Sequence, residues 1–273
     1  MGRLKICVSG RCFFPKGAYF NSTAEMAKLA KEVGYEGIEF LPTWRFVWEM
    51  RRYGKLLAPK EMIASAHRDW RFDRVMEAKI KGKPWWFYQL RNKEDWLFPP
   101  SNFCLSALKK FQEKYKVPVS TAWFADTENF SPVMLELWSK AQGIDYQGLM
   151  KWLKDDHKNH GVVIDTAKFT SWLKDNNLLK KKRQIFRRLL PHVFEVHYRS
   201  KKKGLDKAVN LGGELRDDSD ENLKFILKEG YQGRIVVEFG WPDLEQNLLK
   251  WRGNLEKFRK FHQSLINLIR QIS

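Results

Sequence analysis

The stretch Gly34-Tyr-Glu-Gly-Ile-Glu-Phe40 has a second version near the other end of the chain, Gly230-Tyr-Gln-Gly-Arg-Ile-Val-Val-Glu-Phe239. Each version follows a helical pattern. Ser22-Thr-Ala-Glu25 has the form of a capping box, and Met26, Leu29, Ala30 and Val33 then recur at the 3.6-residue period. Leu223, Ile226 and Leu227 give the same stripe before the second version. In both, a glycine stops the helix and a β-rich run ends in Glu-Phe. A helix-to-strand junction that repeats argues for repeated βα units.

Further strands are predicted outward from these two, at Lys5–Ser9, Met62–His67, Val117–Phe124, Gly161–Asp165 and Val193–His197. Helical stretches are predicted around 103–115, 131–157, 169–189 and 246–271. Strands that alternate with helices imply a parallel sheet. The 273 residues suit a closed barrel of eight βα units, which takes ~250. Seven strands are clear, and an eighth is expected at Lys207–Leu211. No Pro/Gly/Ser linker divides the chain. The expectation is therefore one α/β domain over 1–273, a (β/α)8 TIM barrel with parallel strands and outer helices. Pro84–Pro100 holds six aromatics and breaks the alternation. It reads as an insertion at about 84–100, serving as a wall that stacks on a sugar or base or packing on itself.

Lys and Arg total 50 against 32 Asp and Glu, a formal charge of +18. That excess invites a polyanion partner, but no segment owns it. Residues 1–100 carry 19 basic and 11 acidic groups, 101–200 carry 17 and 10, and 201–273 carry 14 and 11. The three cysteines, Cys7, Cys12 and Cys104, are odd in number and sparse, as for reduced thiols in a cytoplasmic protein. No apolar run reaches the ~18 residues of a membrane span, so no membrane partner is expected. The first residues lack the apolar core of a secretion signal.

Catalytic groups of barrels sit at the C-terminal ends of strands. Glu39, His67, Asp165, His197 and Glu238 all fall there, with Asp126 and Glu128 just past the fourth strand. Charge is disfavoured inside strands, so five strands ending in ionisable groups form a pattern. Such groups, converging from separate strands, supply the oxygen and imidazole ligands that suit Mn, Mg or Zn. A bound ion polarises a carbonyl, and a neighbouring carboxylate moves a proton between adjacent carbons. Structural hydrogen bonds at the barrel mouth are the competing explanation.

At these residues the chain resembles the xylose-isomerase-like barrel superfamily, which includes sugar-phosphate isomerases and epimerases and endonuclease-IV-type nucleases. The matching pieces are Gly34–Glu39, Ser65-Ala-His67, Val162-Val-Ile-Asp-Thr-Ala167, Val196-His197 and Gly230–Glu238, with Gly212-Gly-Glu214 as a looser match. The resemblance implies a divalent metal held by Asp165, His197 and Glu238, plus a glutamate at the end of the fourth strand. Here that region reads Ser120-Thr-Ala-Trp-Phe-Ala-Asp126, which puts Ala122 or Trp123 at that place and leaves Asp126 as the substitute. The family's Asp-Thr-Gly-His is Asp165-Thr-Ala-Lys168 in this chain.

The expected function is a metal-assisted sugar or sugar-phosphate isomerase or epimerase. Glu238 and Lys168 are its expected catalytic groups. Glu39, His67, Arg68, Arg71 and Arg199 are expected to bind a small carbohydrate or its phosphate. The alternatives are a nuclease acting on abasic DNA, which would need more histidine ligands than six histidines provide, and a non-catalytic ligand-binding barrel.

Overall fold

A computed structural model of the protein describes residues 3–10, 22–68, 101–138, 143–198, 219–238 and 251–272. Eight parallel strands close into a barrel in chain order. They are β1 (Lys5–Ser9), β2 (Ile38–Phe40), β3 (Ile63–His67), β4 (Val119–Thr121), β5 (Val133–Leu137), β6 (His160–Asp165), β7 (Val193–Tyr198) and β8 (Arg234–Val237). Closure is made by β8 lying along β1, with Lys5 opposite Arg234 and Val8 opposite Val237. The surrounding helices are α1 (Thr23–Val33), α2 (Trp44–Tyr53), α3 (Ser101–Tyr115), α4 (Tyr146–Asp155), α5 (Phe169–Asp175), α6 (Lys182–Leu189), α7 (Ser219–Lys228) and α8 (Trp251–Arg270). The predicted (β/α)8 barrel is thus the one found.

The repeated junction has a physical basis. The Ser22 hydroxyl accepts from the Glu25 amide, and Glu25 accepts from the Ser22 amide, so both ends of the capping box are closed. Gly34 and Gly230 end their helices at φ 109° and 93°, left-handed backbone that side chains with a Cβ resist. Gly34 also lies under α8, where an added Cβ would stand 2.9 Å from the His262 ring. Tyr35 and Tyr231 follow, both buried. The second glycine of each junction allows close approach. A Cβ on Gly37 would press on Ala64 and Cys7, and one on Gly233 would overlap the Tyr231 hydroxyl.

Two expectations need correction. The strand that completes the eight is β5, Val133–Leu137, inside the stretch predicted as helix 131–157; the helix there starts only at Tyr146. All five residues of β5 are buried, so the run lacks the alternation of a half-exposed strand, and Met, Leu and Glu favour helix. The weaker candidate, Lys207–Leu211, lies outside the described residues, and β7 pairs directly with β8. The stretch 169–189 is likewise not one helix. It breaks between α5 and α6, where Asn177 takes φ 58°. The aromatic stretch 84–100, Cys12 and Gly212–Glu214 also fall outside the described residues.

The large apolar cluster joins strands to helices, and it includes Phe40, Phe46, Phe111, Phe169 and Phe186. Cys7, Ala64 and Val236 pack separately inside the barrel. The rest of the interior is largely polar. Arg234 on β8 reaches across to the Ala64 carbonyl on β3, and Glu39 on β2 contacts His197 on β7.

Candidate active site at the barrel mouth

Three consecutive strands present the expected groups. Asp165 ends β6, His197 lies opposite it on β7, and Glu238 follows β8 with its amide bonded to the Tyr198 carbonyl. The three are buried, with Glu238 keeping 6% exposure. His197 Nδ1 stands 3.5 Å from Glu238 Oε1, and its Nε2 stands 3.3 Å from Glu39 Oε1 and 3.8 Å from Glu195 Oε2. An imidazole between carboxylates on both nitrogens is placed as a cation. Burial pulls its pKa down, but Glu39 and Glu238 outweigh that and hold it well above the ordinary value.

Asp165 is fixed by its own turn. One carboxylate oxygen accepts from the Ala167 amide at 2.9 Å, while Oδ2 lies 3.2 Å from the Lys168 ammonium. Lys168 begins α5, its amide bonded to the Asp165 carbonyl. Its Nζ is 2.7 Å from Glu136 Oε1. The Glu136 carboxyl is desolvated, yet Lys168 and His67 hold it well below the usual range. His67 donates from Nε2 toward Glu136 at 3.2 Å and from Nδ1 to the Arg68 carbonyl at 2.6 Å. Both partners are acceptors, so His67 too is placed as an imidazolium. Burial would lower its pKa, but the Glu136 hydrogen bond and the charges of Glu39 and Glu136 raise it to about 9.

Glu136 and Glu195 were missed from the sequence. Glu136 was hidden by the misread strand; the apolar run Val133-Met-Leu-Glu-Leu137 directly after Pro132 was the available signal. It is a strand-end glutamate one strand beyond the place where Ala122 was read. Glu195 is the inward neighbour of His197 on β7, two residues earlier, and Arg234 holds it at 3.0 Å. Asp126 and Arg68, expected in separate roles, form a buried ion pair with each other. Glu39 is fully buried beneath His197 and takes the Ser120 hydroxyl at 3.1 Å. Arg71 and Arg199 lie outside the described residues.

Among the described residues, Glu39, Glu195 and His197 are the group whose donor atoms lie within 4.8 Å of one another, as holding a metal requires. This group is deep in the barrel, and Arg234 already neutralises Glu195. Near the mouth, Asp165 and Glu136 share an ammonium, so those donors do not fit a divalent ion as they stand.

No protein-family model matches the chain, and no curated protein sequence matches it. Solved structures are similar to it in fold. One is a 3-keto-D-glucoside 4-epimerase from E. coli, at 15% identity and TM-score 0.46 over 94% of this chain and 100% of the other. Another is an L-ribulose 3-epimerase, at 14% identity and TM-score 0.47 over 98% and 95%. A third is a D-allulose 3-epimerase from Methylomonas sp. in complex with D-allulose, at 12% identity and TM-score 0.45 over 100% and 98%. The architecture of the chain itself is a closed barrel of eight parallel strands. At these identities the likeness is one of fold. No helix among the described residues is long and apolar enough to cross a membrane.

Proposed function

We propose that this protein is a sugar or sugar-phosphate isomerase or epimerase that works by proton transfer at the C-terminal face of the barrel. One observation carries the reading. A carboxylate held against an imidazole, Glu238 on His197, and an ammonium, Lys168, stand at the ends of neighbouring strands. Lys168 is a half-buried member of the interior network, with 36% of its side chain accessible. It meets a ligand's carbonyl oxygen. Glu238 takes the proton from the carbon beside that carbonyl, and the electron pair moves onto the oxygen as an enediolate held by the ammonium. Return of the proton to the former carbonyl carbon, with the hydroxyl proton of the neighbouring carbon passing to the enediolate oxygen, isomerises the sugar. Delivery of a proton to the original carbon from the opposite face by a second acid epimerises it. Glu39 and Glu195 keep His197 charged and oriented. A divalent ion (Mn, Mg or Zn) would need a neutral His197, and the described residues that could then hold it are Glu39, Glu195 and His197. The +18 charge favours an anionic substrate over a neutral one.

Solvent exchange tests this reading. With a panel of ketoses, aldoses and their phosphates in deuterium oxide, the protein is expected to place deuterium on a carbon next to a carbonyl. Glu238→Gln is expected to slow incorporation by ~10²–10⁴-fold. No incorporation with any member of the panel, or full incorporation by Glu238→Gln, rejects it.

A further inference from the structure

The polar cluster at the mouth contains a cation that the chain itself supplies. Lys168 Nζ lies 2.7 Å from Glu136 Oε1 and 3.2 Å from Asp165 Oδ2. The placement is not an accident of a long side chain. The Asp165 carboxylate is fixed by the Ala167 amide, and Lys168 is fixed one turn later by its amide bond to the Asp165 carbonyl. The intervening Thr166 is buried and tied down. Its hydroxyl bonds to the His197 carbonyl and the Ser219 hydroxyl, and its carbonyl accepts from Asn222. Asn222 in turn is held by Thr170 and Lys182. The loop that delivers the ammonium is therefore braced from α5, α6 and α7.

Two buried carboxylates that converge on one point need positive charge there, and His67 supplies it only on the Glu136 side. Either a divalent ion or a side-chain ammonium supplies it, and the two compete for the same oxygens. Like charges a few ångströms apart in a poorly solvated site repel strongly. We infer that the Lys168 ammonium is the built-in cation of this site, excluding a divalent ion from Glu136 and Asp165 and serving as the electrophile in its place. The inference rests on reading the mouth as the active site. Its test measures metal uptake without turnover, so its failure is separate from failure of the isomerase reading.

Mn binding is measured by electron paramagnetic resonance and calorimetry on metal-stripped wild type, Glu136→Gln, Lys168→Ala, Lys168→Arg and Lys168→Ala/Glu136→Gln. Lys168→Ala is expected to gain one equivalent of Mn relative to wild type. Adding Mn is expected to raise the Tm of Lys168→Ala by more than that of wild type. Lys168→Arg keeps the charge and gains nothing. Adding Glu136→Gln to Lys168→Ala removes the gained equivalent. The inference is overturned if Lys168→Ala gains no Mn, or if wild type binds an equivalent that Glu136→Gln abolishes. If Lys168→Ala does not fold without metal, Lys168→Gln replaces it, and refolding that depends on Mn counts in favour. Mn held by wild type but indifferent to Glu136→Gln is the baseline against which the gain is counted.

Discussion

His67 shows how an interior group couples chemistry to stability. Its pKa is raised to about 9 from an ordinary 6.5. The folded form thus holds a proton that the unfolded form releases. The stabilisation is complete below about pH 6.5 and is lost as pH rises through 9. Chemical denaturation of wild type should show stability falling across that window by about 1–3 kcal/mol. His67→Gln should flatten that part of the profile; an unchanged slope would mean His67 stays neutral. Cys7 is the opposite case. Burial, reinforced by the Glu195 charge, pushes its thiol up to about 12. Iodoacetamide at pH 8 should leave Cys7 unmodified in the folded protein and label it in denaturant, as read by peptide mass spectrometry.

Among the elements, the α1–β2 junction makes a sharp comparison. Gly34 is left-handed and pressed under His262, whereas Gly54 is left-handed at φ 63° with nothing within 4 Å of a Cβ. Gly54→Ala should cost about 1 kcal/mol from backbone strain alone. Gly34→Ala should cost at least ~1–2 kcal/mol more, because the ring on α8 must also move. Urea denaturation of both variants measures the difference, and equal losses would mean that α8 does not bear on Gly34. The same junction explains why much of the fold was legible. Capping residues, helix-stopping glycines and buried runs are local signals, and β1 was read from Lys5 to Ser9 as found. The break between α5 and α6 was not legible, since an Asn in left-handed backbone looks like any polar residue of a helix. Nor was β5, whose burial on both faces erases the alternation that marks a strand.

For the whole molecule, the closed barrel is what brings distant charges together. Arg234 binds Glu195 on the next strand and the Ala64 carbonyl across the barrel. Removing one partner strands the other in a dry interior, so Arg234→Met should destabilise by ~3–5 kcal/mol. The double variant Arg234→Met/Glu195→Leu should recover much of that loss. Thermal and denaturant melts of the cycle test it; a double variant no better than Arg234→Met would show that the ion pair is not the cause.

The linear chain settled the class of architecture and most strand-end candidates, because period, caps and glycine stops act within a few residues of one another. Asp165, His197, Glu238, His67 and Lys168 could all be picked out from position along their strands. Their partners could not. That Lys168 faces Glu136, that Glu39 underlies His197, and that Asp126 is engaged by Arg68 depend on which strands close beside or across from which. Those contacts join residues 32, 158 and 58 positions apart, and no local preference encodes such a distance. Barrel closure alone decided them, and with them which cation sits at the mouth.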